Sequence, residues 1–552
     1  MIQVNQLSLW FDRVENPVLD KISFQLNQGE TMLLLGPSGS GKSTLTFCLN
    51  GIYPRELDGK MEGSVQVSGQ SVNDTPPGEI SKQVGVVFQD PESQFCMLTV
   101  EDEIAFGLEN IHTPQVEMEQ KITEVLQLVN LSRYRKAAIH SLSGGQKQKV
   151  ALACVLALQP DFLILDEPTA NLDPLAKQDF IKTMKHIQQE KNISLMVIEH
   201  QLEGWVAFIE RAYILSKDGR CMYDGSLMEA MKHKQQQIQS QGISLPPVTE
   251  LVLEAASHQQ ATYTRLPLTN EDFLANVSYL DRYYLERKMF LDVPNEKIIL
   301  ASSNLYLSKN KQEILHNITF QLFHPSFVAI TGANGSGKTS LLRLLAGIDR
   351  PTSGKIHLNG RLLETWKEST LRQQIGYVFQ NPEHQFITDN VYDEIAYTLR
   401  LRSFSESKIK ERVHEIVTSC QLNGLENYHP YSLSQGQKRR LSVATMIVDE
   451  QHILFLDEPT FGQDTASLHQ LMQLLRERHQ AGTTIMMITH DMELVDQYAD
   501  RVIVLANGKI VADKTPDQLW DMPHLENWHL DYPTRIKLKQ QMEEQDNAYV
   551  IK

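Results

Sequence analysis

Cysteine is scarce in this 552-residue chain: Cys48, Cys96, Cys154, Cys221 and Cys420 are odd in number, scattered and never spaced as CxxC. That argues against a disulfide framework or a zinc site and makes a reducing compartment the expected setting. Long apolar runs are also missing. The longest, VALACVLAL at 150–158, is half a membrane span, and the start MIQVNQLSLWFDRVENP lacks a basic stretch followed by an apolar one. The chain is therefore expected neither to enter nor to cross a membrane by itself. Positive charge is in deficit, 52 Lys and Arg against 68 Asp and Glu for a formal net charge of -16, which disfavours holding a long nucleic acid by bulk electrostatics.

What is present is an ordinary globular composition, 41% hydrophobic and 22% charged. Single cores rarely grow beyond roughly 250–300 residues, so two domains are expected. The phrase FQDPESQF at 88–95 returns as FQNPEHQF at 379–386, an offset of 291 positions, and other landmarks recur with it. GPSGSGKS at 36–43 and GANGSGKT at 332–339 both fit GxxxxGK[ST], each after an apolar strand and before a helix. Glycines there let backbone N–H groups converge on phosphate oxygens at a helix N-terminus. Lys42 and Lys338 are placed to neutralise β- and γ-phosphates, and the hydroxyls of Ser43 and Thr339 to hold Mg²⁺.

Two apolar strands end in paired acids, FLILDEP at 162–168 and ILFLDEP at 453–459. In a phosphate-loop enzyme Asp166 or Asp457 would position Mg²⁺, and Glu167 or Glu458 would polarise the attacking water. LSGGQ at 142–146 and LSQGQ at 433–437 precede them, Ser143 and Ser434 each lying 23 residues before the aspartate. Strands ending at His200 and His490 follow at 34 and 33 residues, a matched spacing that favours contacts to the γ-phosphate over two chance histidines.

These motifs, present twice in the same order, resemble ATP-binding cassette (ABC) ATPases over almost the whole chain. The resemblance implies an α/β fold of two tandem P-loop NTPase domains, each with a mainly parallel core sheet, an antiparallel β subdomain and a helical subdomain. It implies ATP and Mg²⁺ as ligands, hydrolysis of ATP, and a head-to-tail pseudo-dimer within one chain. The Walker A loops would be Gly36, Pro37, Ser38, Gly39, Ser40, Gly41, Lys42, Ser43 and Thr44, and Gly332, Ala333, Asn334, Gly335, Ser336, Gly337, Lys338, Thr339 and Ser340. One site would combine Lys42, Gln89, Asp166, Glu167 and His200 with Ser434, Gly436 and Gln437; the other would combine Lys338, Gln380, Asp457, Glu458 and His490 with Ser143, Gly145 and Gln146. Gln89 and Gln380 would touch Mg²⁺ or water, and Asp173 and Asp464 would be the D-loop aspartates.

The halves differ at three places. Phe11 aligns with the aromatic that stacks on adenine in the family, whereas Lys309 stands at the matching position; either the base packs less well there or Tyr306 takes the role. Gln435 replaces the first signature glycine, and the D-loop reads ANLD in one half and FGQD in the other. Because both halves keep Glu and His, two hydrolysis-competent sites of unequal rate are expected, with one dead site as the alternative.

The extended Q-[DN]-P-E-x-Q-F phrase, followed by TVEDEIAFGLEN or NVYDEIAYTL, resembles the ATPases of energy-coupling factor (ECF) importers. That resemblance implies a transmembrane T-component and a substrate-binding S-component as partners, and a peripheral place on the cytoplasmic face of the cell membrane. Its cargo would be a vitamin or a transition metal, and the fused arrangement resembles importers of thiamine or its precursor. Glu92, Glu101, Asp102 and Glu103, with Glu383, Asp389, Asp393 and Glu394, are expected to line a groove for basic coupling helices. Expected boundaries are a first nucleotide-binding domain at 1–230, an accessory segment and linker at 231–295, a second nucleotide-binding domain at 296–520 and a tail at 521–552. The competing reading is a soluble twin-cassette ATPase acting on ribosomes or DNA. Residues 231–297 hold seven Lys or Arg against eight Asp or Glu, whereas an RNA-reaching linker needs a basic surplus, so no nucleic acid is expected as partner.

Overall fold

In the computed structural model, residues 1–11, 16–53, 55, 59–259, 266–276, 297–309, 311–460 and 463–550 are described. Parts of the expected accessory segment (260–265 and 277–295), the expected first residue of the second domain, 296, and Phe461 and Gly462 of FGQD lie outside them. The chain divides into two compact units, one built on residues 1–172 and 176–280, the other on 281–463 and 467–552.

Each unit contains the same two sheets. In the first, a six-stranded sheet runs in the order Cys221–Ser226, Arg211–Leu215, Thr31–Leu35, Ser194–Ile198, Phe162–Asp166, Val84–Val87. All its pairings are parallel except the antiparallel edge formed by Cys221–Ser226. The second repeats this with Lys509–Lys514, Arg501–Ala506, Phe327–Thr331, Thr484–Ile488, Ile453–Asp457 and Ile375–Val378. Strands buried on both faces read as continuous apolar runs, which is why TMLLL, FLILD and SLMVI carry no polar alternation. Their period of two still sorts side chains. Leu33, Leu163 and Leu195 pack with the helices, while Met32, Ile164 and Met196 pack beneath a four-stranded antiparallel sheet.

That second sheet has the order Leu19–Leu26, Ile2–Phe11, Gly59–Val67, Gln70–Ser71, matched in the other unit by Gln312–His324, Lys297–Lys309, Ser353–Leu358 and Arg361–Leu362. A helical part follows each glutamine-bearing phrase: Val100–Asn110, Gln115–Leu128 and Gly144–Ala157, then Val391–Leu401, Glu406–Ser419 and Gln435–Ile447. The α/β fold expected from the motifs is therefore present twice. Among the described residues no helix is long and apolar enough to cross a membrane.

Candidate active site

The phosphate-loop glycines stand where a side chain would be strained or where open space is wanted. Gly39 and Gly335 have φ of +80° and +77°, and a Cβ on either would meet nothing within 4 Å, so the loop leaves an open cradle. Gly41 and Gly337, also at positive φ, cap helices Lys42–Leu49 and Lys338–Leu345 closely against Leu19 and Leu315. Lys42 Nζ donates to the carbonyls of Gly36 and Pro37 at 2.7 and 3.1 Å; Lys338 Nζ donates to Gly332 and Ala333 at 2.9 Å each. Burial pushes both ammonium groups down, Lys338 to about 8. The buried hydroxyls of Ser40 and Ser336 have no protein partner. An open cradle, an unsatisfied hydroxyl and a desolvated cation fit an anion, and a phosphate would offset the cost of burying the lysine.

Strand register assembles the acids and histidines. Asp166 pairs with Ile198 and Asp457 with Ile488 on adjacent parallel strands, so Glu167 and His200, like Glu458 and His490, emerge side by side at the strands' C-terminal ends. Gln89 Nε2 donates to Glu167 Oε2 at 2.8 Å, and His200 Nε2 lies 3.1 Å from Glu167 Oε1. In the second unit Gln380 Nε2 donates to Glu458 Oε2 at 3.1 Å, and His490 Nε2 stands 3.4 Å from Glu458 Oε1. Both glutamates occupy the left-handed region, with φ of 47° and 48°. A residue with a Cβ and a side chain as long as glutamate's costs about 1–2 kcal/mol there, and such strain persists where the surroundings over-determine it, typically at functional sites.

Burial works to raise Glu167 and Glu458, yet hydrogen bonding and charge from His200 and His490 hold both below the usual glutamate range. Asp166 and Asp457 are pushed up to about 6, chiefly by burial and then by the neighbouring glutamate. Thr339 Oγ1 donates to Asp457 Oδ1 at 3.0 Å, and Ser43 bonds to Asp166. Hydroxyl, carboxylate and amide oxygen form a hard donor set that fits Mg²⁺. Tyr377, absent from sequence reasoning, also reaches Asp457, donating to Oδ2 at 3.1 Å, while Val86 holds the matching place in the first unit. The signal was the one non-conservative difference between VGVVFQ and IGYVFQ, Val86 against Tyr377.

The signature residues serve their own helices. Ser143 and Gln146, and Ser434 and Gln437, form capping boxes at the N-termini of Gly144–Ala157 and Gln435–Ile447. Gly145 and Gly436 lie in the first turns, and Gln435, an exposed residue, opens the second helix. Asp173 and Asp464 immediately precede helices Pro174–Lys191 and Thr465–Gln480.

At Phe11 and Lys309, where the resemblance leads one to expect contact with the base, the two units exchange one kind of pair for another. Phe11, 37% exposed, meets Tyr53 edge-on with centroids 6.2 Å apart. Lys309 instead binds Asp349 at 2.9 Å, and Asp349 also takes two bonds from Arg343. Tyr306 is 38% exposed on the same strand.

The repeated phrase has a local structural cause, and the groove reading of its acids is corrected in part. Asp90 and Asn381 cap short turns that begin at Pro91 and Pro382. Glu92 pairs with Lys147 and Glu383 with Lys438, tying each turn to the signature helix. Arg439 adds bonds to the carbonyls of Phe379 and Gln380 at 2.7 and 2.5 Å. Glu103 and Glu394 do not face a groove: both are buried and accept loop N–H groups, from Cys96 and Met97 and from Ile387 and Thr388. A helical acid that can satisfy two amides of its own loop is drawn inward, because those amides would otherwise go unpaired. Glu101 binds Arg135, Asp102 its cap Thr99, and Asp393 binds Arg400; Asp389 is exposed.

Comparison with known proteins agrees with this geometry. The ABC transporter family matches residues 19–170 and 315–461. The protein named "Putative HMP/thiamine import ATP-binding protein YkoD" of Bacillus subtilis is 43% identical over 521 residues, covering 94% of this chain and 92% of that protein. A "Putative ABC transporter ATP-binding protein" of Methanosarcina acetivorans is 33% identical over 534 residues, covering 95% of this chain and 87% of its own length. Among solved structures, cbiO1 of Clostridium perfringens, part of the ABC transporter complex cbiONQ, is 28% identical and covers 43% of this chain and 94% of its own, with a TM-score of 0.39. Two copies of one nucleotide-handling constellation, on two copies of one fold, matched in both halves, make this chain a member of the ABC transporter family: an ATP-binding protein that hydrolyses ATP.

Proposed function

We propose that this chain energises import of a micronutrient through a membrane importer of the ECF kind, and that its cargo is a thiamine precursor or a related vitamin rather than a metal. The observation that carries the catalytic half of the reading is the doubled Gln–Glu–His cluster around a left-handed glutamate. The import half is supported by a relative named for HMP/thiamine import that matches along nearly the full length of both chains. Exposed apolar side chains just after each glutamine-bearing turn, Leu98 at 80% and Ile387 at 64%, suit docking of helices from a T-component.

In this reading the phosphate loops hold the β- and γ-phosphates, and Lys42 and Lys338 turn from loop carbonyls to phosphate oxygens. Ser43, Gln89 and Asp166, with Thr339, Gln380 and Asp457, hold Mg²⁺, which when bound neutralises phosphate charge. Glu167 and Glu458, ionised at neutral pH, orient water, and His200 and His490 hold the γ-phosphate near them. Ser143, Gly145 and Gln146, and Ser434, Gly436 and Gln437, complete the site of the opposite cassette, as the family resemblance implies, with Asp173 and Asp464 alongside. Phe11 stacks on one adenine. ATP binding draws the cassettes together, and hydrolysis lets them part.

The test is to tag the C-terminus, purify the chain from gently solubilised membranes of its host, and identify what accompanies it. One larger multispanning protein and one small membrane protein support the reading, and the small one reveals the cargo. Ribosomes or DNA, with an empty membrane fraction, overturn it in favour of a soluble ATPase.

A further inference from the structure

Glu199 is a buried acid that the mechanism above does not use. It is 5% exposed and precedes His200 at the end of strand Ser194–Ile198. Its Oε1 accepts the backbone N–H of Thr169 at 3.1 Å and the Thr169 hydroxyl, while its Oε2 accepts the N–H of His200 at 3.2 Å. One carboxylate thus takes bonds from two turns: the one that follows Glu167 and the one that carries His200. Burial raises its pKa, so the three bonds to it, with the charge of Lys177, offset a real desolvation cost. An acid buried at that cost in an apolar strand end points to a requirement for what it holds.

The second unit provides the comparison. Thr489 stands at the matching position, 2% exposed, and its hydroxyl accepts the N–H of Asp491 within its own turn. There the histidine to glutamate distance is 3.4 Å, against 3.1 Å in the first unit.

We propose that Glu199 is a positioning residue for ATP hydrolysis in the first half: it binds the Glu167 turn to the His200 turn, fixes the approach of those two side chains, and sets the turnover of that half apart from the second. The inference rests on the roles given above to Glu167 and His200. It concerns kcat rather than nucleotide affinity, because Glu199 touches neither phosphate loop.

The experiment uses the full chain carrying Glu458→Gln, so that single-turnover hydrolysis with protein in excess over Mg-ATP reports the first half. Adding Glu199→Thr is expected to slow that rate about tenfold, the scale of a small misplacement of reacting groups, while affinity for a non-hydrolysable ATP analogue stays within about twofold. Amide exchange over 167–172 rises in the same variant. Glu199→Gln, which keeps an acceptor for Thr169, recovers the rate to within about threefold of the parent. Thr169→Val, which removes one donor and preserves shape, slows hydrolysis in the same direction and serves if the threonine variant does not fold. A Glu199→Thr rate within about twofold of the parent overturns the proposal, as does a fall of rate and analogue affinity together with thermal stability, the pattern of a merely structural role. Undiminished turnover in Glu167→Gln would instead overturn the role of Glu167, a separate failure.

Discussion

At the scale of single residues, charge placement separates the two halves. Asp349 is pushed down to about 2, first by its hydrogen bond with Arg343 and also by Lys309. A carboxylate whose folded pKa lies below its ordinary 3.8 adds stability that is complete above that value and is lost as pH falls toward 2. The urea midpoint of Asp349→Asn should therefore lie below that of the parent by a constant gap from pH 7 to 5, and the gap should shrink from pH 4 downward. A gap unchanged at pH 3 would show that the pair stabilises by packing alone. The capping serines make a smaller claim. Ser143→Ala should cost about 1 kcal/mol of stability, since it removes the acceptor for a helix-terminal N–H, and denaturant titration measures it.

At the scale of elements, close packing decides. A Cβ on Gly85 would stand 2.2 Å from Val155 and 3.0 Å from Pro160, so the signature helix approaches strand Val84–Val87 only because this residue has no side chain. Gly85→Ala should cost about 2 kcal/mol, with melting as the readout. Near the C-terminus, Arg535 pairs with Asp496 and Asp517, and Trp520 Nε1 donates to Asp496 at 2.7 Å. Arg535→Ala leaves the buried Asp496 carboxylate short of its cation and should cost about 3 kcal/mol. These elements also show where the sequence was legible. Phosphate loops, acid-ended strands and histidines stood out because their chemistry demands particular residues at particular spacings. KHKQQQIQSQG looked like a polar break, yet helix Leu227–Ser240 runs through most of it, burying Met231 and Ile238 on one face. LKQQMEEQ carried no visible chemistry, but helix Thr534–Val550 begins with Ile536 and Leu538 buried. Glu103, Glu394 and Glu199 were illegible in the same way: whether an acid faces water or satisfies the amides of a nearby loop depends on where the loop turns, and spacing does not record that.

At the scale of the whole molecule, the chain carries the Gln–Glu–His cluster twice, and under the proposed roles the differences around the two copies predict inequality rather than inactivity. The first half has Phe11 beside Tyr53 and a buried Glu199; the second has Lys309 paired with Asp349, and Tyr377 on Asp457. The most direct measurement is steady-state Mg-ATP hydrolysis and ATP binding by the purified chain with Glu167→Gln, Glu458→Gln and both. The account predicts that each single variant lowers turnover to a different extent, and that the double variant binds ATP but turns it over at least about a hundredfold more slowly. Near-normal turnover in the double variant would contradict it.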